Sequence, residues 1–164
     1  MKLLAILLLA LFAAPPSNTD WRAASEAELK DIIPARAPVE TERIETEFRT
    51  ASGVTNGKAF VFGVVLITAG YSADGKYSHF FATQVPIMAG ELALKPGNYV
   101  FGWQKNTDSL SVKFYEAQTG KFLGTVEAVR NSRIGKIESF HIYPPNDRSI
   151  VQIGRFAFPY RIGH

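Results

Sequence analysis

The chain has 164 residues, 46% of them hydrophobic and 20% charged, with no cysteine and a formal charge of +3. That length fits one domain able to bury its own core, and the 12 Phe, 6 Tyr and 2 Trp argue against disorder. The missing cysteine excludes a disulfide scaffold, a thiolate zinc site and a cysteine nucleophile, and so small a charge does not point to nucleic acid.

Residues 1–14 read MKLLAILLLALFAA: Lys2, an apolar stretch from Leu3 to Phe12, then small alanines. This is the layout of a secretory signal peptide. The stretch is short for a bilayer span, and Pro15 and Pro16 stop it. The expectation is an exported protein, periplasmic or extracellular, with no transmembrane span once the signal is removed.

Residues 15–40 read as a leader. Ser25 and Glu28 have the spacing of a capping box, so a short helix is expected after Ser25, with Leu29, Ile32 and Ile33 on its apolar face. Pro34 ends it, and Pro34 to Pro38 reads as a stiff connector.

From residue 41 to 164 the pattern is that of strands. Ile44, Thr46 and Phe48 alternate with Glu45, Glu47 and Arg49, which predicts a half-buried strand over 41–50. Further strands are expected over 60–68, 78–86, 99–104, 110–116, 122–129, 137–143, 149–153 and 155–162, with turn residues between them. Asp74-Gly75 is a hairpin signal. Pro159, inside the last segment, predicts an edge or a bulge there. The fold class is therefore all-β: an antiparallel sandwich, immunoglobulin-like or transthyretin-like, with a short N-terminal helix. The alternative is a small closed β-barrel. An outer-membrane barrel fits less well, because the 44–50 strand carries charges on its outer face and Ile162-Gly163-His164 has no terminal aromatic residue.

Residues 15–57 hold five Lys and Arg against eight Asp and Glu, whereas residues 58–164 hold twelve against seven. The simpler reading is an acidic leader lying on a mildly basic β domain. The sharper reading is a movable acidic arm that pairs with a neighbouring molecule.

The catalytic inventory is thin. No nucleophile elbow, zinc-protease helix motif, phosphate-binding glycine loop or calcium loop occurs. His79, His141 and His164 share no ligand spacing, and a joint metal site of the first two is the weak reading. Glu116, Glu127 and Glu138 would suit glycoside hydrolysis only if two of them faced each other across about 5–9.5 Å; charged strand residues ordinarily face water. The expectation is no enzyme, no catalytic residue, no cofactor and no metal.

Tyr99, Phe101 and Trp103 are spaced by two and share one face of a strand. Exposed, such a ladder would bind a carbohydrate or a protein; buried, it is core, which is the commoner outcome. A second candidate is the alternating strand through Ile44, Thr46 and Phe48, which follows the Pro-rich connector. A subunit could lend it to a neighbour and build a homo-oligomer through edge strands.

Leu94-Lys-Pro-Gly-Asn-Tyr99, Trp103, Val112-Lys-Phe114 and Gly120 to Val126, with Ser149 to Phe156 more loosely, resemble small exported bacterial β-sandwich proteins of unestablished activity. The resemblance covers residues 90–162 and implies a sandwich fold without implying an activity. Residues and resemblance together point to an exported, non-catalytic binding or structural module at the cell envelope. The alternatives are a subunit of an extracellular assembly built by strand exchange, and a barrel carrying a small apolar ligand.

Overall fold

The computed structural model describes residues 20–163; the expected signal segment and His164 lie outside the described residues. In chain order the elements are β1 (Arg22–Ala23), α1 (Glu26–Ile32), β2 (Arg36–Val39), β3 (Glu42–Thr55), β4 (Phe60–Leu66), β5 (His79–Thr83), β6 (Ile87–Ala89) and β7 (Leu92–Leu94). β8 (Gly97–Lys105), β9 (Ser109–Glu116), β10 (Phe122–Arg130), β11 (Glu138–Ile142), β12 (Ile150–Gly154) and β13 (Phe156–Ile162) complete the chain.

The expected capping box is present. The Glu28 main-chain N–H donates to Ser25 Oγ at 3.3 Å, and the Ser25 N–H donates to the Glu28 carboxylate at 2.8 Å. Arg22 then clasps that carboxylate at 2.7 and 2.9 Å. Together these contacts hold Glu28 down to about 2, with the Arg22 hydrogen bond as the larger cause.

One sheet, antiparallel at every pairing, runs in the order β1-β3-β4-β5-β8-β9-β10-β13-β12-β11. β11 comes round to pack against β3 and β4, so the sheet nearly closes into a barrel. At this seam there is no ladder. The Ile142 N–H donates instead to Ser52 Oγ at 2.9 Å, and the Phe140 ring fills the space left by the missing side chain of Gly63. The all-β expectation is met in the form of its barrel alternative: one sheet curls on itself where a sandwich would stack two.

Alternation sorts each strand's side chains into the barrel or out of it. Phe81, Phe101, Phe114, Phe140, Phe158 and Tyr160 fill the interior. Phe114 lies 5.2 Å from Phe101, 6.0 Å from Phe81 and 6.0 Å from Phe158 between ring centroids, so it joins walls that are not neighbours in the sheet. Each such ring contributes about 2–3 kcal/mol by leaving water.

A second core lies outside. α1, the β2–β3 hairpin and the 71–77 turns cover the outer faces of β4, β5 and β8, burying Leu29, Ile33, Ile44, Phe62, Phe80 and Val100. β4 and β5 are therefore covered on both faces, which explains the unbroken apolar run from Phe60 to Leu66. The acidic stretch over 15–57 only partly lies on the barrel: β1 pairs with β3 at Thr55 and Val54 and α1 seals the second core, whereas β3, in the same stretch, is a barrel strand.

The chain differs from expectation in four places. The Pro34–Pro38 connector is in part a strand, since β2 ladders with β3 from Arg36 to Val39 and, as an outer strand, tolerates Pro38. β6 and β7 form an unforeseen hairpin that pairs with the end of β13. Asp74-Gly75 belongs to a run of turns between β4 and β5 and not to a two-residue hairpin. Finally, β13 is paired on both sides. Its partner switches between Ala157, the last residue laddered to β10, and Tyr160, the first laddered to β6. Pro159 falls in that interval, where no N–H is needed, while its carbonyl accepts the Gly90 N–H at 2.7 Å.

Candidate functional site

Tyr99, Phe101 and Trp103 share the inward face of β8, as their spacing requires, but the barrel treats them differently. Phe101 is fully buried and Tyr99 nearly so, whereas Trp103 is 46% exposed. The ladder runs from one end of the barrel to the other, and only Trp103 emerges.

The register shows what else lies at that end. Trp103 and Lys105 of β8 pair with Val112 and Leu110 of β9; Leu110 pairs with Ala128 of β10, and Arg130 of β10 pairs with Phe156 of β13. The β4–β5 connection and the β10–β11 loop close the same end, because His79 pairs with Phe101 and Glu138 with Gly154. Of the five large apolar side chains exposed among the described residues, Ile67, Trp103, Val129 and Ile137 are here; Phe122 is at the opposite end.

Cations gather at the same end. Lys105, Arg130, Arg133 and Arg155 are exposed, and none makes an ion pair among the described residues. The Arg130 guanidinium stacks over the Phe156 ring at 5.5 Å, which fixes it without neutralising it. Arg130, Arg155, Ile134 and Ile137 line a concavity of about 470 Å³. Asp108 and the exposed Glu127, level with Gln104 through Ser111, are carboxylates at this end without an ion pair among the described residues; Glu138 is held by Lys136 at 3.1 Å and His141 at 3.0 Å. Lys105, Arg130, Arg133 and Arg155 are scattered over fifty residues of sequence, and pattern reasoning missed them. The one available signal was the basic balance after residue 58.

His79 and His141 do not come together. His79 points into the barrel, stacked on Phe101 at 4.6 Å and against Phe140 at 5.4 Å. Its Nδ1 meets Ser78 Oγ at 2.8 Å. At Nε2 no atom satisfies hydrogen-bond geometry, although the Ser139 main chain lies close enough to favour a proton there slightly. Burial is the larger effect and pushes His79 down to about 4, so it is neutral at ordinary pH. His141 faces outward beside Glu138 and Tyr143, and its burial also lowers its pKa. Among the described residues, no three His, Asp or Glu side chains gather as metal ligands would.

The three carboxylates are also dispersed. Glu127 pairs with Ser111, and Glu116 stands five residues further along that strand, about 16 Å away. Glu138 is bound to its own partners on β11. Glu116 and Glu127 are therefore too far apart for hydrolytic spacing.

The opposite end carries a groove of its own. Tyr99, Leu94, Leu123, Glu116, Lys95 and Lys121 line a groove of about 440 Å³ between β7 and β10. The Tyr99 hydroxyl donates to the Lys95 carbonyl at 2.5 Å, and burial, with a smaller push from Glu116, raises its pKa. Along this groove β10 is laddered only to β9, because β13 reaches β10 at Val129 and Arg130 alone.

The other candidate strand is engaged within its own chain. Ile44 is fully buried in the second core, Phe48 packs against that core half-buried, and Thr46 donates to the Pro34 carbonyl at 2.8 Å. Ile44 pairs with Ala37 of β2 and Thr46 with Leu66 of β4, so β3 has partners on both sides along this stretch.

No family model, curated protein or solved structure matches the chain.

Proposed function

We propose that this chain is an exported, non-catalytic β-barrel module that works by binding at the cell envelope, with the Trp103 end as its contact surface. The observation that carries the reading is the sorting of the surface: among the described residues, four of the five exposed large apolar side chains share one end with four cations that make no ion pair. Scattered exposed apolar residues are ordinary, but a gathered set rimmed by charge marks an interaction site. A binding role is favoured over catalysis because the polar groups that could do chemistry are kept apart: His79 is sealed inside the barrel, and Glu116, Glu127 and Glu138 face different surroundings. The filled interior gives no support to the carrier reading. Export rests on the sequence of residues 1–14.

The test is co-sedimentation of the purified protein with isolated envelope membranes and with peptidoglycan. The unmodified protein is expected to sediment with one of them. Trp103→Ala should weaken that binding at least about tenfold, as truncating a central interface aromatic does, with no change in melting temperature. Turnover of a glycoside or ester substrate by the purified protein would overturn the reading.

A second reading, self-assembly by strand addition, is favoured by the one-sided stretch of β10. An open strand edge is a template for another strand. Native mass spectrometry at high concentration should then show oligomers; monomers throughout would exclude it.

A further inference from the structure

We propose that the partner of the Trp103 end is the surface of an anionic lipid bilayer, an inference that rests on the binding reading above and names the chemistry it would meet. Three observations converge. Trp103 and Ile137, 46% and 53% exposed, leave the barrel at the same end from residues that are packed together, since Phe101 and Phe140 lie 6.3 Å apart inside it. A tryptophan and aliphatic side chains exposed at one end are the residues that settle at the headgroup level, where an amphipathic ring is accommodated. Around them stand Lys105, Arg130, Arg133 and Arg155, all exposed and without carboxylate partners. Arg130 and Arg155 both line the concavity at the β10–β11 loop, so two cationic residues share one depression with Ile134 and Ile137.

The chemistry favours a lipid surface over a nucleic acid or an acidic protein. A nucleic acid would need a longer basic track with aromatic faces repeated along it, whereas here one indole stands at one end. An acidic protein would meet the cations but offer no apolar phase to Ile67, Trp103 and Ile137, all of them exposed. A fluid interface accepts all of them at once, and anionic headgroups supply the counter-charge. Two weak terms, shallow apolar insertion and surface attraction, then add to reversible binding.

Trp103 also reports on its own contact. The chain has 2 Trp, and the other, Trp21, is 3% exposed within the core. Changes in emission on adding vesicles therefore come from Trp103. The experiment titrates the purified protein with vesicles of mixed phosphatidylglycerol and phosphatidylcholine, with phosphatidylcholine alone, and with the mixed lipid carrying brominated chains. Expected are a blue shift with the mixed vesicles, quenching by brominated chains, and loss of both at high salt. Each of Arg130→Gln and Arg155→Gln should weaken binding about fivefold, the effect of removing one cation at an anionic surface, while the melting temperature holds. Equal binding to phosphatidylcholine alone, or no binding to either vesicle, would overturn the inference. Capture by peptidoglycan or by an acidic oligonucleotide through Trp103, without vesicle binding, would overturn the inference and leave the binding role standing.

Discussion

His79 is a histidine spent on packing. It stacks on Phe101 inside the barrel, and burial holds it neutral down to about 4. In the unfolded chain it would take a proton near the ordinary 6.5, so between about 6.5 and 4 only the unfolded state gains a charge. Stability should therefore fall as pH drops through that window, by up to about 3 kcal/mol from His79; below it the His79 contribution is complete, and further loss comes from carboxylates held low, Glu28 among them. His79→Phe keeps a stacking ring and removes the proton; its melting temperature should be much flatter between those pH values. An unchanged slope would mean that His79 is not the titrating group. A second contrast lies two residues apart on one strand face. Phe101→Ala should cost about 3–5 kcal/mol, since a buried ring leaves a cavity behind, whereas Trp103→Ala should change stability by no more than about 0.5 kcal/mol. Urea unfolding of the two variants checks both.

At the scale of elements, the seam between β11 and β4 is where the barrel is most sensitive. A side chain at Gly63 would stand 2.6 Å from the Phe140 ring and 3.0 Å from the Phe80 carbonyl oxygen. Gly63→Ala should push β11 off, cost about 1–3 kcal/mol, and speed amide exchange in β11 and β12 before the rest of the barrel. Uniform exchange would contradict a seam that opens locally. Most strands were legible in the sequence because period-two alternation marks a strand that buries one face, as in β9 and β13. β2 was hidden because Pro34 and Pro38 read as a break, although a strand with one free side needs no N–H there. The β6–β7 hairpin was hidden by length: three-residue strands are too short to show a period. Trp103 could be placed on its face but not in its environment. Its exposure depends on where the neighbouring strands stop, which is a property of the sheet and not of β8.

For the whole molecule, what matters is asymmetry between the two ends. The interior is packed with rings and the outer faces of β4, β5 and β8 are covered, so the surface left for recognition is mainly the ends and the outer faces of β9 and β10. Lys105, Arg130, Arg133 and Arg155 meet only after the sheet has curled, which is why no local motif announces them. The resulting end carries apolar tips and cations together, while the Tyr99 end carries a groove where Lys95 and Lys121, likewise without an ion pair among the described residues, face Glu116. Binding through the first end should weaken with rising salt, whereas binding through the second should show little salt dependence, its charges being mixed.

The most direct test of that asymmetry is the emission of Trp103 during titration with isolated envelope material at low salt. A saturable blue shift, absent in Trp103→Phe and abolished at high salt, is the result predicted for binding through this end. A spectrum that stays unchanged while the protein demonstrably sediments with the same material would place the contact elsewhere and contradict the account.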